Sequence, residues 1–289
     1  MFLRIKDFFL LARPKQWIKG FFVLAGAVFS GRIFDPATWP VLIAAFSAFC
    51  LLSSGIYVVN DLADCERDRL HPKKASRPIA SGRVGKTQAA VYALILFSLS
   101  ATAGAFVGWQ FMAVQGIFIV NSLLYTFLFK NVVIVDVISI AVNFLLRVLA
   151  GGVAADVEMS VWILLCTFQL ALFLGFSKRR SELMLLNDDA HAHRLILKDY
   201  TVPFCDSLVQ IMTVTAIVFY TMYTFMERPP ITMVTAIFVI YGMCRYLYLI
   251  YVKNRTDSIE EILISDFPLA LSIILWVVSS ALLLYIPGV

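Results

Sequence analysis

Charged residues are scarce in this sequence. Asp, Glu, Lys and Arg make up 15% of its 289 residues, against about 25% in soluble domains. Hydrophobic residues fill 61% and the mean hydropathy is +0.85, which excludes an ordinary water-soluble protein. Histidine is nearly missing: there is His71, then His191 and His193 beside Asp188 and Asp189. An HxH pair without cysteine or a third histidine is a weak metal signal, and these are read as surface residues. The five cysteines are odd in number and contain no CxxC pair, so free thiols are expected and a disulfide framework is not. The N-terminal MFLRIKDFFLLARPKQW mixes apolar residues with charges, without a clean apolar core or a small-residue cleavage site. It is read as an interfacial amphipathic helix and not as a removable signal peptide.

What the sequence has is long apolar runs. Spans are expected near 16–34, 39–60, 88–108, 110–129, 132–153, 160–177, 206–226, 231–251 and 266–286. At about 20 residues each, nine spans leave no room for a separate soluble domain, so residues 1–289 are read as one all-α, polytopic membrane domain. The formal net charge of +5 could suggest a nucleic-acid partner, but the placement of the basic residues argues otherwise. With the N-terminus cytoplasmic, every Lys and Arg falls on the inner face except Arg32 and Arg228 outside and Arg147 and Arg245 within spans. That asymmetry is the positive-inside rule. It predicts cytoplasmic charged loops, an outside C-terminus and no nucleic-acid binding.

The most informative stretch is NDLADCERDRLHPKKASRPIASGRVGK, from Asn60 to Lys86. Asp61, Asp64 and Asp68 are spaced i, i+3 and i+7, so a continuing helix carries them along one face with Asn60 beside them. Carboxylates that close repel unless a cation joins them. Mg²⁺ suits such hard oxygens, because it is usually held by one or two carboxylates together with substrate phosphates. Arg69, His71, Lys73, Lys74 and Arg77 follow directly, which makes the segment read as a metal–diphosphate grip. The competing reading, a solvated loop at the headgroups, does not account for the Asp spacing.

A second cluster, SKRRSELMLLNDDAHAHRLILKDY, follows the sixth span; Lys178 and Glu182 stand one turn apart. Alone it is an ordinary stop-transfer run, but it puts a charged loop on the same side of the membrane in each half of the protein. In the fifth span Asp136, Asn143 and Arg147 return to nearly one helical angle; lining a cavity and pairing within the packing remain two readings. Arg245 lies among Tyr241, Tyr246 and Tyr248, where snorkelling to the headgroups suffices.

Taken together, RPKQWIKG, NDLADCERDRLHPKKASRPIASG, IVDVISI with LLRVLAGG, SKRRSEL, KDYT with Asp206, and YGMCRYLYLIY resemble the UbiA superfamily of intramembrane prenyltransferases, and within it the decaprenyl-phosphate phosphoribosyltransferase branch. The long second motif is specific and the others are individually modest. The resemblance implies nine helices around a central cavity with cytoplasmic capping loops, in a bacterial-type inner membrane. Aromatic-acceptor members carry a second acidic motif of the DxxxD kind after the sixth span; here that place reads KRRSEL, with Glu182 its one acid.

That departure fits a donor bearing an additional phosphate. The resemblance implies transfer of 5-phosphoribosyl from phosphoribosyl diphosphate to a polyprenyl phosphate, with release of pyrophosphate and Mg²⁺ as cofactor. Asn60, Asp61, Asp64 and Asp68 would hold the metal. Substrate contacts would come from Lys15, Asn60, Arg69, Lys73, Arg77, Lys130, Asp136, Arg147, Lys178, Arg179, Glu182 and Tyr200. The expected partners are these two substrates and membrane lipids, with homo-oligomers left open. The alternatives are an aromatic-acceptor polyprenyltransferase and, from another class, a transporter. A transporter's coupling residues would gather near the midplane, whereas the clusters here lie at the cytoplasmic edge.

Overall fold

The computed structural model describes residues 2–70, 74–186, 195–257 and 259–285. His71, Lys73, Asp188, Asp189, His191 and His193 lie outside them. The described residues are helical with no strand. The chain divides into two compact units, Met1–Lys130 with Val142–Met159, and Asn131–Ala141 with Ser160–Val289.

In the first unit α1 (Phe2–Leu11) precedes a 3₁₀ segment (Pro14–Leu24), α2 (Ala25–Phe29), α3 (Trp39–Ala63), α4 (Cys65–Leu70), α5 (Lys86–Val107), α6 (Trp109–Phe127) and the greater part of α7 (Val135–Ala155). Helix α3 is the core element. Ala45, Ala48, Phe49 and Leu52 are buried on it, and Phe49 meets Phe111 and Phe118 of α6 edge to face at 5.6 and 5.3 Å. Helices α5 and α6 are joined through Gly108 alone, at φ +140°, a backbone angle that suits only a residue without a Cβ. Helix α1 buries Leu11, ties Asp7 to Arg83 at 2.9 Å, and leaves Ile5, Phe9 and Leu10 exposed, as an interfacial helix requires.

The second unit holds α8 (Val161–Leu186), α9 (Val202–Met226), α10 (Ala236–Tyr251), α11 (Ile259–Ser265) and α12 (Phe267–Tyr285). Helices α8 and α9 pack along each other, as do α10 and α12.

Seven helical segments are long and apolar enough to cross a membrane among the described residues, with a shorter apolar helix at Phe267–Leu283. The seven correspond to seven of the nine expected spans, and the shorter helix lies where the one at 266–286 was expected. The span expected at 16–34 is corrected: it is the 3₁₀ segment followed by a five-residue α-helix. Arg13 at its start has φ +49° and Pro14 follows, which breaks the path of α1. Further along, this segment and α7 approach backbone to backbone. A Cβ on Gly151 of α7 would overlap the Val23 carbonyl, and one on Gly26 would stand 2.8 Å from the Gly152 nitrogen. The drawn-out coil keeps the reach: eleven 3₁₀ residues and five α residues together extend about 30 Å, close to the bilayer core thickness.

The Gly151→Ala variant is expected to lower stability by about 1–3 kcal/mol, the cost of overpacking a filled site. The midpoint of thermal denaturation in detergent measures it, and an unchanged midpoint would show that the contact relaxes freely.

Candidate active site

Asn60 and Asp61 occupy the last turn of α3, Asp64 caps its C-terminus, and Asp68 lies on α4. The expected continuous helix is interrupted at Asp64, yet the Asp68 amide still donates to the Asp64 carbonyl at 2.8 Å. The i+4 relation therefore survives the break. Asp61 and Asp68 are 3% and 4% exposed, depths at which carboxylates need partners.

Each carboxylate has one. Arg13 Nη2 donates to Asp61 Oδ1 at 2.5 Å, and Arg77 Nη1 donates to the same oxygen at 2.9 Å and to Asp68 Oδ2 at 2.7 Å. Lys130 Nζ donates to Asp64 Oδ1 at 2.6 Å. Arg77 thus ties two acids of the stripe together, and Arg13, held over the Tyr57 ring at 5.0 Å, joins the chain entry to the same point. Sequence reasoning assigned no role to Arg13; its place in RPK, just ahead of the first apolar run, was the available signal. Arg69 turns away, donating to the Ala80 carbonyl and to exposed Glu66. Lys15 is exposed.

Among the described residues no three His, Cys, Asp or Glu side chains stand together as a complete metal cage. The donor set nevertheless fits Mg²⁺, which takes part of its coordination from phosphates. Asn60 Oδ1, a neutral hard oxygen on the same turn of α3 as Asp61, is buried without a hydrogen-bond partner.

In the second unit Asp136 is fully buried at the start of α7. It accepts from Arg179 Nε at 2.8 Å and from the Tyr200 hydroxyl at 2.8 Å; that hydroxyl in turn accepts from the Ile134 amide at 2.7 Å. Burial pushes the Tyr200 phenol above its ordinary pKa, so it stays protonated and donates. Arg179 Nη1 reaches Glu182 at 2.5 Å. The expected pairing of Glu182 across one turn is therefore made by Arg179, three residues away, while Lys178 is exposed.

Arg180, which sequence reasoning did not select, donates to Asp206 at 2.6 Å and lies over Tyr251 at 5.0 Å. Arg245 is corrected from a snorkelling residue to an anchor: it grips Asp266 at 3.1 and 2.9 Å. The hydrogen bond from Arg245 holds the Asp266 carboxyl below the usual carboxylate range. Of the stripe Asp136, Asn143 and Arg147, the acid is spent on Arg179, and Arg147 meets the Asn143 carbonyl at 3.0 Å and Ser53 Oγ at 3.1 Å.

The chain is 39% identical over 210 residues to the decaprenyl-phosphate phosphoribosyltransferase of Corynebacterium glutamicum, covering 71% of this chain and 63% of that protein, so it spans less than two thirds of that relative's length. It is 37% identical over 221 residues to the enzyme of the same name from Mycolicibacterium smegmatis, covering 74% of this chain and 68% of that one. The fold matches a UbiA homolog from Archaeoglobus fulgidus, solved bound to GPP and Mg²⁺, with a TM-score of 0.75 over 97% of this chain and 100% of that one, at 17% identity. The family model of the UbiA prenyltransferase family matches residues 20–258. With its apolar helices and that match, the chain is an integral membrane protein and belongs to the UbiA prenyltransferase family.

Proposed function

We propose that the protein transfers the 5-phosphoribosyl group of phosphoribosyl diphosphate to a polyprenyl phosphate and releases pyrophosphate. The observation that carries this reading is the membrane edge of α8. Where aromatic-acceptor members resembling this chain have a second acidic motif, it reads KRRSEL, in which Arg179 and Arg180 serve Asp136, Glu182 and Asp206 and the one acid, Glu182, is itself held by Arg179. A prenyl diphosphate on two metal ions is served by two acidic motifs, whereas the phosphates of a phosphorylated sugar are served by cations such as exposed Lys15 and Lys178. The names of the two relatives above support a phosphoribosyl group and a polyprenyl phosphate acceptor.

Asn60, Asp61, Asp64 and Asp68 are the residues that would hold Mg²⁺, which when bound neutralises charge on the departing pyrophosphate. Arg77 keeps Asp61 and Asp68 at one place, and Arg13 and Lys130 bring further cations within ion-pair distance of Asp61 and Asp64. These side chains are charged and partly enclosed, so they orient a diphosphate at little reorganisation cost. The acceptor is ionised at neutral pH and needs no general base. Its phosphate oxygen supplies the electron pair for the new bond to the anomeric carbon, and the old C–O bond's pair leaves on pyrophosphate through an oxocarbenium-like state. The chain's contribution is alignment of the reacting groups. Exposed Lys15 and Lys178 are proposed phosphate contacts, whereas Asp136, Arg179 and Tyr200 act on one another and hold Glu182. An apolar protein surface receives the lipid tail, in an inner membrane with the N-terminus and charged loops cytoplasmic.

The test is purified protein in detergent with radiolabelled phosphoribosyl diphosphate, polyprenyl phosphate and Mg²⁺, followed by lipid extraction with and without chelator. Label entering the lipid phase and lost with chelator is the expected result. No label, together with prenyl transfer from a prenyl diphosphate to a hydroxybenzoate, would overturn the reading in favour of an aromatic acceptor.

A further inference from the structure

The first unit contains one more cation whose setting differs from all those above. Arg147 is 5% exposed, twelve residues into α7 and so about 18 Å along it. Phe118 and Phe144 flank its guanidinium at 4.8 and 5.5 Å. Its hydrogen bonds go to the Asn143 carbonyl and to Ser53 Oγ, and its Nε is buried without a partner. The Asn143 side chain is itself fixed by Asn121 at 2.9 Å and Ser122 at 3.1 Å. Arg13, Arg77, Lys130, Arg179 and Arg180 each have a carboxylate. Arg147 has none within ion-pair distance among the described residues.

A guanidinium at that depth is costly without a counter-charge, and aromatic faces and neutral oxygens replace only part of it. Its environment therefore favours an anion from outside the chain. Ser53, Tyr57, Asn60, Asp61 and Asp64 form one polar stripe along α3, running from the partner of Arg147 to the carboxylate cluster. Ser53 and Asp61 are eight residues apart, about 12 Å along the axis, comparable with a diphosphate and a ribose ring laid end to end. In an in-line displacement, acceptor and leaving group lie on opposite sides of the sugar carbon. An anion that far from the diphosphate, and deeper in the apolar layer, suits the head of a molecule that enters tail-first from lipid.

We propose that Arg147 recognises the phosphate monoester of the lipid acceptor, and so determines why a polyprenyl phosphate and not a polyprenol is used. This rests on the phosphoribosyl-transfer reading for the reaction, but its binding test does not. The same phosphate chemistry is offered by the 5-phosphate of the donor, and the test separates the two.

The probes are farnesyl phosphate, farnesol and phosphoribosyl diphosphate with Mg²⁺, applied to the full chain in detergent and read as shifts of the thermal midpoint. Wild type is expected to be stabilised by farnesyl phosphate and not by farnesol. Arg147→Gln is expected to lose that shift and keep the one given by the donor. Its KM for the lipid phosphate should rise at least about tenfold, the worth of a charge-assisted hydrogen bond, with the donor KM unchanged within about twofold. Arg147→Lys, which keeps the charge but not the fork, should fall between the two and serves if the Gln variant does not fold. A wild type that binds the alcohol as well as the phosphate overturns the proposal. So does loss of the donor shift instead, or a lower midpoint with both shifts intact. Binding of farnesyl phosphate that depends on Arg147, without any phosphoribosyl transfer, would leave this site standing and remove the proposed reaction.

Discussion

Asp64→Asn is expected to lower phosphoribosyl transfer at least about 100-fold, the scale of losing a group that supports developing charge in an enclosed site, while the protein inserts and purifies as wild type does. Asparagine keeps the shape and removes the charge. Asp64 caps α3 and is the least enclosed of the three acids, with its side chain 22% exposed against 4% for Asp61 and 6% for Asp68. Its partner Lys130 is 14% exposed and can turn to water when the carboxylate is lost. Structural damage is accordingly small, and the loss reports on chemistry. The lipid-label assay beside a thermal denaturation curve makes the distinction. Near-normal transfer would remove Asp64 from the metal-holding set; a collapsed midpoint would make it a structural acid.

The largest expected effect on stability lies in the second unit. Asp136 and Arg179 have side chains 0% and 2% exposed, 2.8 Å apart. Removing one member of such a pair leaves the other's charge buried, at a cost of about 3–5 kcal/mol. Arg179→Met deprives both Asp136 and Glu182 of their cation, so it falls at the upper end. Asp136→Asn falls lower, because Arg179 retains Glu182 at 2.5 Å and Tyr200 can still donate to the amide oxygen. The double variant Asp136→Asn with Arg179→Met should be more stable than Arg179→Met alone, since no unpaired charge is left at the start of α7. Thermal midpoints of the three variants in detergent test this order. A single Arg179→Met that melts with wild type would mean the pair contributes little beyond what water could replace.

Both effects stem from residues that linear reading singled out but could not pair. The i, i+3, i+7 spacing brought Asp61, Asp64 and Asp68 to one face, and the structure keeps that face even though α3 stops at Asp64. Spacing along one helix says nothing of cations delivered from elsewhere. Arg13 lies 48 residues from Asp61 and Lys130 lies 66 residues from Asp64. Asp136 and Arg147 share a helical angle, which left cavity lining and a mutual pair as two readings; the acid meets Arg179 of α8, 43 residues away. Arg245 and Asp266 likewise meet across 21 residues.

Apolar runs by themselves determined the class of protein, seven of the nine expected spans, and the stretch where polar chemistry is concentrated. Those follow from local properties: helix length against bilayer thickness, and a periodicity of 3.6 residues. Only the tertiary structure shows that residues 14–24 coil as a 3₁₀ segment and that Val23 meets Gly151 backbone to backbone. It alone decided which acid each arginine serves, and that Arg147 is left with rings, a carbonyl and a serine. The physical reason is the low dielectric of the interior. There, a charge's partner is chosen by proximity in three dimensions, and periodicity specifies the face a side chain occupies but never the element that arrives to meet it.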